Sequence, residues 1–144
     1  MVPPMRKFAA LSLTLSLLLL PACKRKYDVE TTAPATAGKA HIVLDRDKVG
    51  NGTISLEFDH LAAPTDIDPS LSEYVVWIAV EGKEPYKLGI VKYNEKKRTG
   101  KLSASYSDDQ FNVSMTVEQD PAASAPAGVK VLDIPVVAPP QKNK

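Results

Sequence analysis

The sequence predicts an all-β domain, and three observations point to it. Apolar and polar residues alternate with a period of two along several short segments. One segment, Tyr74 to Val80 (YVVWIAV), is apolar on both faces. Gly, Asn, Asp and Pro collect at the joints between segments, and no long stretch between them keeps a helical period.

Taken in order, Ala40 to Leu44 is the first candidate strand. Gly50-Asn51-Gly52 then turns the chain into a segment where Ile54, Leu56 and Phe58 alternate with Ser55, Glu57 and Asp59. Ala62 to Leu71 has room for a single helical turn. YVVWIAV suits a central strand covered on both sides, with Trp77 on one face and Val76 and Ile78 on the other. Trp77 is expected to meet the opposite sheet and organise the core. Glu81 to Pro85 forms a turn into Lys87–Tyr93. Leu102, Ala104 and Tyr106 mark the next strand, and Ser107 to Gln110 a second turn. Phe111, Val113, Met115 and Val117 then alternate with Asn112, Ser114, Thr116 and Glu118, which sets Glu118 on the solvent face. In Val129–Val137 the apolar phase shifts between Val131 and Leu132, and Pro135 has no N–H to donate. An edge strand with a bulge fits both facts. Seven short strands at this spacing imply a single immunoglobulin-like antiparallel β-sandwich over residues 40–137.

The flanks read differently. Residues 24–39 (KRKYDVETTAPATAGK) offer only Tyr27 and Val29 as larger apolar side chains, so residues 23–39 are expected to form a flexible linker. The segment 138–144 (APPQKNK) is expected to be a disordered tail. At the start, Arg6-Lys7 precedes a 13-residue apolar run from Phe8 to Leu20, the charge and hydropathy pattern of a secretory signal peptide over residues 1–22. That run is too short for a membrane-spanning helix, which needs about 20 apolar residues.

Leu20-Pro21-Ala22-Cys23 resembles a lipobox, the signal read by the enzymes that attach diacylglycerol to a cysteine and cleave before it. The resemblance implies cleavage between Ala22 and Cys23, lipid attachment on Cys23, and an extracytoplasmic protein held on a bacterial membrane. Lys24 follows where aspartate commonly marks inner-membrane retention, which implies the periplasmic leaflet of the outer membrane in a Gram-negative host. Cys23 is the only cysteine. No intramolecular disulfide can form, and modification would remove a lone thiol from an oxidising compartment.

Composition narrows the remaining possibilities. The chain of 144 residues has a net charge of +1, and loss of residues 1–22 leaves 16 basic and 17 acidic residues. Such a balance lacks the concentrated basic surface that nucleic acids need, so no nucleic-acid partner is expected. Asp45-x-Asp47 with Gly50 has the opening of a calcium loop, but Val49 and Leu56 stand where ligands are required. Asp66-x-Asp68 is a pair of carboxylates in a loop. His41 and His60 are the only histidines, and His60 continues the inward phase of Ile54, Leu56 and Phe58, as a partly buried structural residue would. There is no G-x-S-x-G elbow and no phosphate-cradling glycine loop. No catalytic residue, metal ligand or cofactor is expected, and no binding residue can be assigned.

From Tyr74 onward the order of features is similar to the extracytoplasmic domain of anti-sigma-K-type factors and to bacterial lipoproteins that carry the same module. The positions most alike are Tyr74, Trp77, Leu88, Gly89, Phe111, Val117, Glu118, Pro126 and Gly128. The resemblance implies a sensing or binding module. The function expected is therefore a membrane-anchored, non-enzymatic binding or structural module of the cell envelope, with the membrane and an envelope protein as candidate partners. An envelope sensor or assembly subunit and a small metal-dependent hydrolase are the alternatives.

Overall fold

The computed structural model describes residues 24–142. Nine strands among them form two antiparallel sheets: β1 (Arg25–Glu30), β2 (Lys39–Arg46), β3 (Gly52–Asp59), β4 (Glu73–Ala79), β5 (Tyr86–Ile90), β6 (Lys92–Asn94), β7 (Thr99–Tyr106), β8 (Gln110–Glu118) and β9 (Val129–Val137). One helical turn, α1 (Pro64–Ile67), lies between β3 and β4, within the segment expected to hold it. The sheets run β1-β2-β3-β7-β6 and β5-β4-β8-β9. Without β1, this order is the ABED and C′CFG arrangement of an immunoglobulin sandwich. The inward residues Ile42, Leu44, Ile54, Leu56 and Phe58 of one sheet pack against Tyr74, Val76, Ile78, Val113, Met115 and Val117 of the other.

Two causes raise the strand number above seven. The segment Lys87–Tyr93 breaks at Val91, where the chain passes from one sheet to the other. Val91 is buried and donates its N–H to the Tyr74 carbonyl at 2.9 Å, so β5 and β6 belong to different sheets.

The second cause corrects the expected flexible linker. Arg25 to Glu30 pairs with Leu44 to Lys39 along its whole length. Tyr27 and Val29 alternate inward onto the core. Beyond β1 the loop remains docked: Thr31 N donates to Gly38 O and Thr32 N to Val131 O, each at 2.8 Å, and Ala35 is fully buried. Composition judged this segment in isolation. An edge strand needs only two apolar residues at alternate positions when a neighbouring strand supplies its hydrogen bonds. The expected disordered tail is corrected too, through Lys142. Ala138 N donates to Asp109 O at 2.8 Å, and Lys142 Nζ lies 2.8 Å from Asp45 Oδ1.

β9 is an edge strand as expected, and its pairing with β8 slips by one residue at Val131, between Met115↔Leu132 and Thr116↔Lys130. Trp77, by contrast, does not face the opposite sheet. Tyr74, Val76 and Ile78 point into the core, whereas Val75 and Trp77 are buried on the outer face of β4. The loop 119–128 reaches back over that face. Lys87 Nζ donates to the Pro121 carbonyl and lies 5.5 Å from the centre of the Trp77 ring. Gly128 allows the return: a Cβ there would stand 1.9 Å from the Val117 carbonyl oxygen.

Candidate functional site

The side chains singled out in the sequence do not converge. Ala22 and Cys23, the expected cleavage and lipid-attachment positions, lie outside the described residues. His60 is exposed with φ +55°, because β3 ends at Asp59 and the alternation stops with it; the expected burial is corrected. Asp45 is held between Lys24 and Lys142, at 3.7 and 2.8 Å, and the Lys142 hydrogen bond keeps its carboxyl below the usual range. Asp47 Oδ1 accepts the amides of Val49 and Asn51 at 2.9 Å each, closing a turn rather than facing a cation. Asp68 accepts the Ser70 hydroxyl at 2.6 Å, while Asp66 lies 3.7 Å from Arg98. Among the described residues, no group of three or more His, Cys, Asp or Glu could hold a metal ion.

Glu118 is also corrected. It is 2% exposed, although it ends an alternating strand on the outward phase. Its Oε1 accepts the Thr116 hydroxyl at 2.6 Å and the Ala127 amide at 3.1 Å. Thr116 in turn accepts the Trp77 indole N–H at 2.8 Å. The loop 119–128 buries this face, so the outward phase of β8 is no longer a solvent phase. Trp77 and Glu118 thus serve one network that fastens the loop, and Gly128 lets the loop return close to the Val117 carbonyl.

On the outer face of the other sheet, a polar row crosses all five strands: Asp28, His41, Glu57, Lys101 and Lys92. His41 Nδ1 meets the Asp28 carboxylate, and its Nε2 lies 3.5 Å from Asp59 Oδ2. The Asp28 hydrogen bond raises the His41 pKa, aided by the charges of Asp28, Asp59 and Glu57. Lys101 pairs with Glu57 at 3.5 Å.

Lys92 marks the candidate site, which the sequence reading missed. β6 is three residues long and accompanies β7 only from Thr99 to Lys101. From Leu102 to Tyr106, β7 has β3 on one side and, among the described residues, no strand on the other. Beside this edge, over the outer face of the β3–β7 pair, lies a notch with a volume of about 400 Å³. Ser55, Glu57, Lys101 and Ser103 line its sheet side, with Ile90 and Lys92 at its wall. Ile90 is 43% exposed, and Leu102 and Ala104 are half-buried. In an antiparallel strand alternate residues turn both backbone groups to the same side, so this stretch leaves donors and acceptors without a strand partner on that side, with Leu102 and Ser103 beside the notch. At its head Lys101 is paired with Glu57, while Lys92, opposite Lys101 in the ladder, makes no ion pair among the described residues. The sequence carried one faint sign of this, the break at Val91 in a run that otherwise reads as one strand.

Comparisons with protein-family models, with curated proteins and with solved structures found no match. Among the described residues, no helix is long and apolar enough to cross a membrane.

Proposed function

We propose that this chain is a lipid-anchored extracytoplasmic protein whose sandwich is a non-enzymatic binding module of the cell envelope. The unpaired edge of β7 beside the notch is the observation that carries the binding role. An open edge is a template for an added strand, since an extended peptide can satisfy its hydrogen bonds without distortion. Five residues, Leu102 to Tyr106, offer an edge of roughly 17 Å at about 3.4 Å per residue. The occupant is an extended segment of an envelope protein, with an acidic residue at the end that meets Lys92. The anchor rests on Arg6-Lys7, the apolar run to Leu20, and Leu20-Pro21-Ala22-Cys23.

A photo-crosslinking amino acid at Ser103, with Thr53 on the same outer face as control, tests the binding role in intact cells. A discrete protein adduct from position 103, absent from 53 and weakened by Lys92→Glu, is expected. Equal adducts from both positions, or none from 103, would overturn it. Fatty-acid labelling tests the anchor separately: wild type should take up label and Cys23→Ser should not.

A further inference from the structure

The geometry points to the end of the sandwich that carries Lys24 as a surface lying against a phospholipid bilayer, with Val49 dipped into the headgroup layer. This inference rests on the lipid anchor proposed above. β1 begins at Arg25, and Lys24 is already held 3.7 Å from Asp45. Cys23 is one residue further, an advance of about 3.8 Å between Cα atoms. A lipid on Cys23 therefore leaves no tether, and this end of the domain has to sit at the headgroups. A free linker of 16 residues would have allowed any orientation; the pairing of β1 with β2 removes that freedom.

The turn between β2 and β3 lies at the same end, because Leu44 is the ladder partner of Arg25. At its tip Val49 is 76% exposed, and Val137, also at this end, is 44% exposed. Val49 is not loosely held. Asp47 fastens the turn through two amides, Gly50 supplies the φ of +92° that it needs, and Gln141 braces the Lys48 carbonyl from the C-terminal segment. A braced turn that holds an aliphatic side chain in water gains nothing within the domain. Against a bilayer the same side chain leaves water.

The charges agree. Lys24, Arg25, Lys26 and Lys48 are exposed around this tip, and Lys48 makes no ion pair among the described residues. Of the acids at this end, Asp45 lies between Lys24 and Lys142, Asp47 is engaged by its own turn, Asp109 pairs with Arg46 at 2.7 Å, and Asp108 lies 3.5 Å from Lys83. Cations beside an exposed apolar side chain complement phosphate headgroups and the acyl boundary beneath them.

The test uses the full chain, processed in a bacterial host and reconstituted into vesicles of phosphatidylethanolamine and phosphatidylglycerol. Mass spectrometry first reads acylation of Cys23, which also blocks that thiol. Nitroxide labels at Val49→Cys, Lys48→Cys or Glu95→Cys, the last in the turn at the opposite end, then report collision with oxygen and with a water-soluble nickel complex. The expected result is an oxygen-to-nickel collision ratio several-fold higher at 49 than at 95, with 48 between them. Equal, water-like ratios at 48, 49 and 95 on a chain whose Cys23 is acylated would overturn the docking and leave the anchor standing. An unmodified Cys23 in the mass spectrum would overturn the anchor, and the docking with it.

Discussion

Trp77 and Thr116 meet across the β4–β8 ladder, indole N–H to hydroxyl at 2.8 Å, on the face of the sheet turned away from the core. The Thr116 hydroxyl donates a hydrogen bond to Glu118, and Glu118 also accepts the Ala127 amide from the returning loop. A residue pattern that reads as strand alternation with a solvent-facing acid is thus a buried polar chain. It binds the loop 119–128 to the sheet, and its members stand or fall together.

Trp77→Ala should cost about 3–5 kcal/mol, the usual range for deleting a buried aromatic. The indole also shields Thr116 and supports the loop. Trp77→Phe should retain part of the packing but lose the bond to Thr116, and so fall between. Denaturant melts of the three proteins measure this; a Trp77→Ala midpoint equal to wild type would refute the burial.

Glu118→Ala should destabilise by about 1–3 kcal/mol, because it strips the acceptor from the Thr116 hydroxyl and the Ala127 amide. Glu118→Gln, which keeps an oxygen in place, should cost less. Hydrogen exchange at Ala127 provides a local reading: its protection should fall in Glu118→Ala more than protection in β2 or β3 does.

Gly128→Ala should be among the most damaging small substitutions in the chain. Its Cβ would meet backbone, the Val117 carbonyl oxygen at 1.9 Å, and backbone cannot swing aside as a side-chain tip can. Overpacking of this kind costs about 1–3 kcal/mol and sometimes more. A thermal midpoint unchanged from wild type would show that the loop returns by another path.

A domain cut to residues 40–144 should be less stable than residues 24–144. The deletion removes β1, the Tyr27 and Val29 contacts and the buried Ala35. Loss of the apolar contacts of these three side chains amounts to something on the order of 3 kcal/mol. Urea melts of the two lengths compare them directly, and coincident curves would mean that β1 contributes nothing.

The His41 cluster predicts a pH dependence of definite sign. Its pKa is raised in the folded protein, so protonation favours the folded state. That contribution is fully present below the ordinary histidine value and is lost as pH rises through the raised one. The stability gap between wild type and His41→Gln should therefore shrink as pH is increased across that window. Asp28, Asp59 and Glu57 all face the ring, so high salt should narrow the gap as well. A gap that widens with pH would contradict the arrangement.

The sequence by itself determined the class of fold and most of its strands. Alternation is a local property, because side chains i and i+2 share a face whatever the rest of the chain does. For the same reason it located the β9 bulge, where Val131 and Leu132 break phase beside Pro135. It read both faces of β4 as covered, as they are, but it set Trp77 against the opposite sheet and Glu118 in solvent. Trp77 and Glu118 are outward by phase and buried in fact, because ten residues distant from Trp77 in sequence fold back over them. Nor could composition foresee β1, whose hydrogen bonds and apolar contacts exist only once β2 and the core are in place. The notch beside β7 is a tertiary product in the same sense: it exists because β6 stops at three residues and β5 leaves for the other sheet. Only the assembled sheets decide which backbone groups remain without a partner.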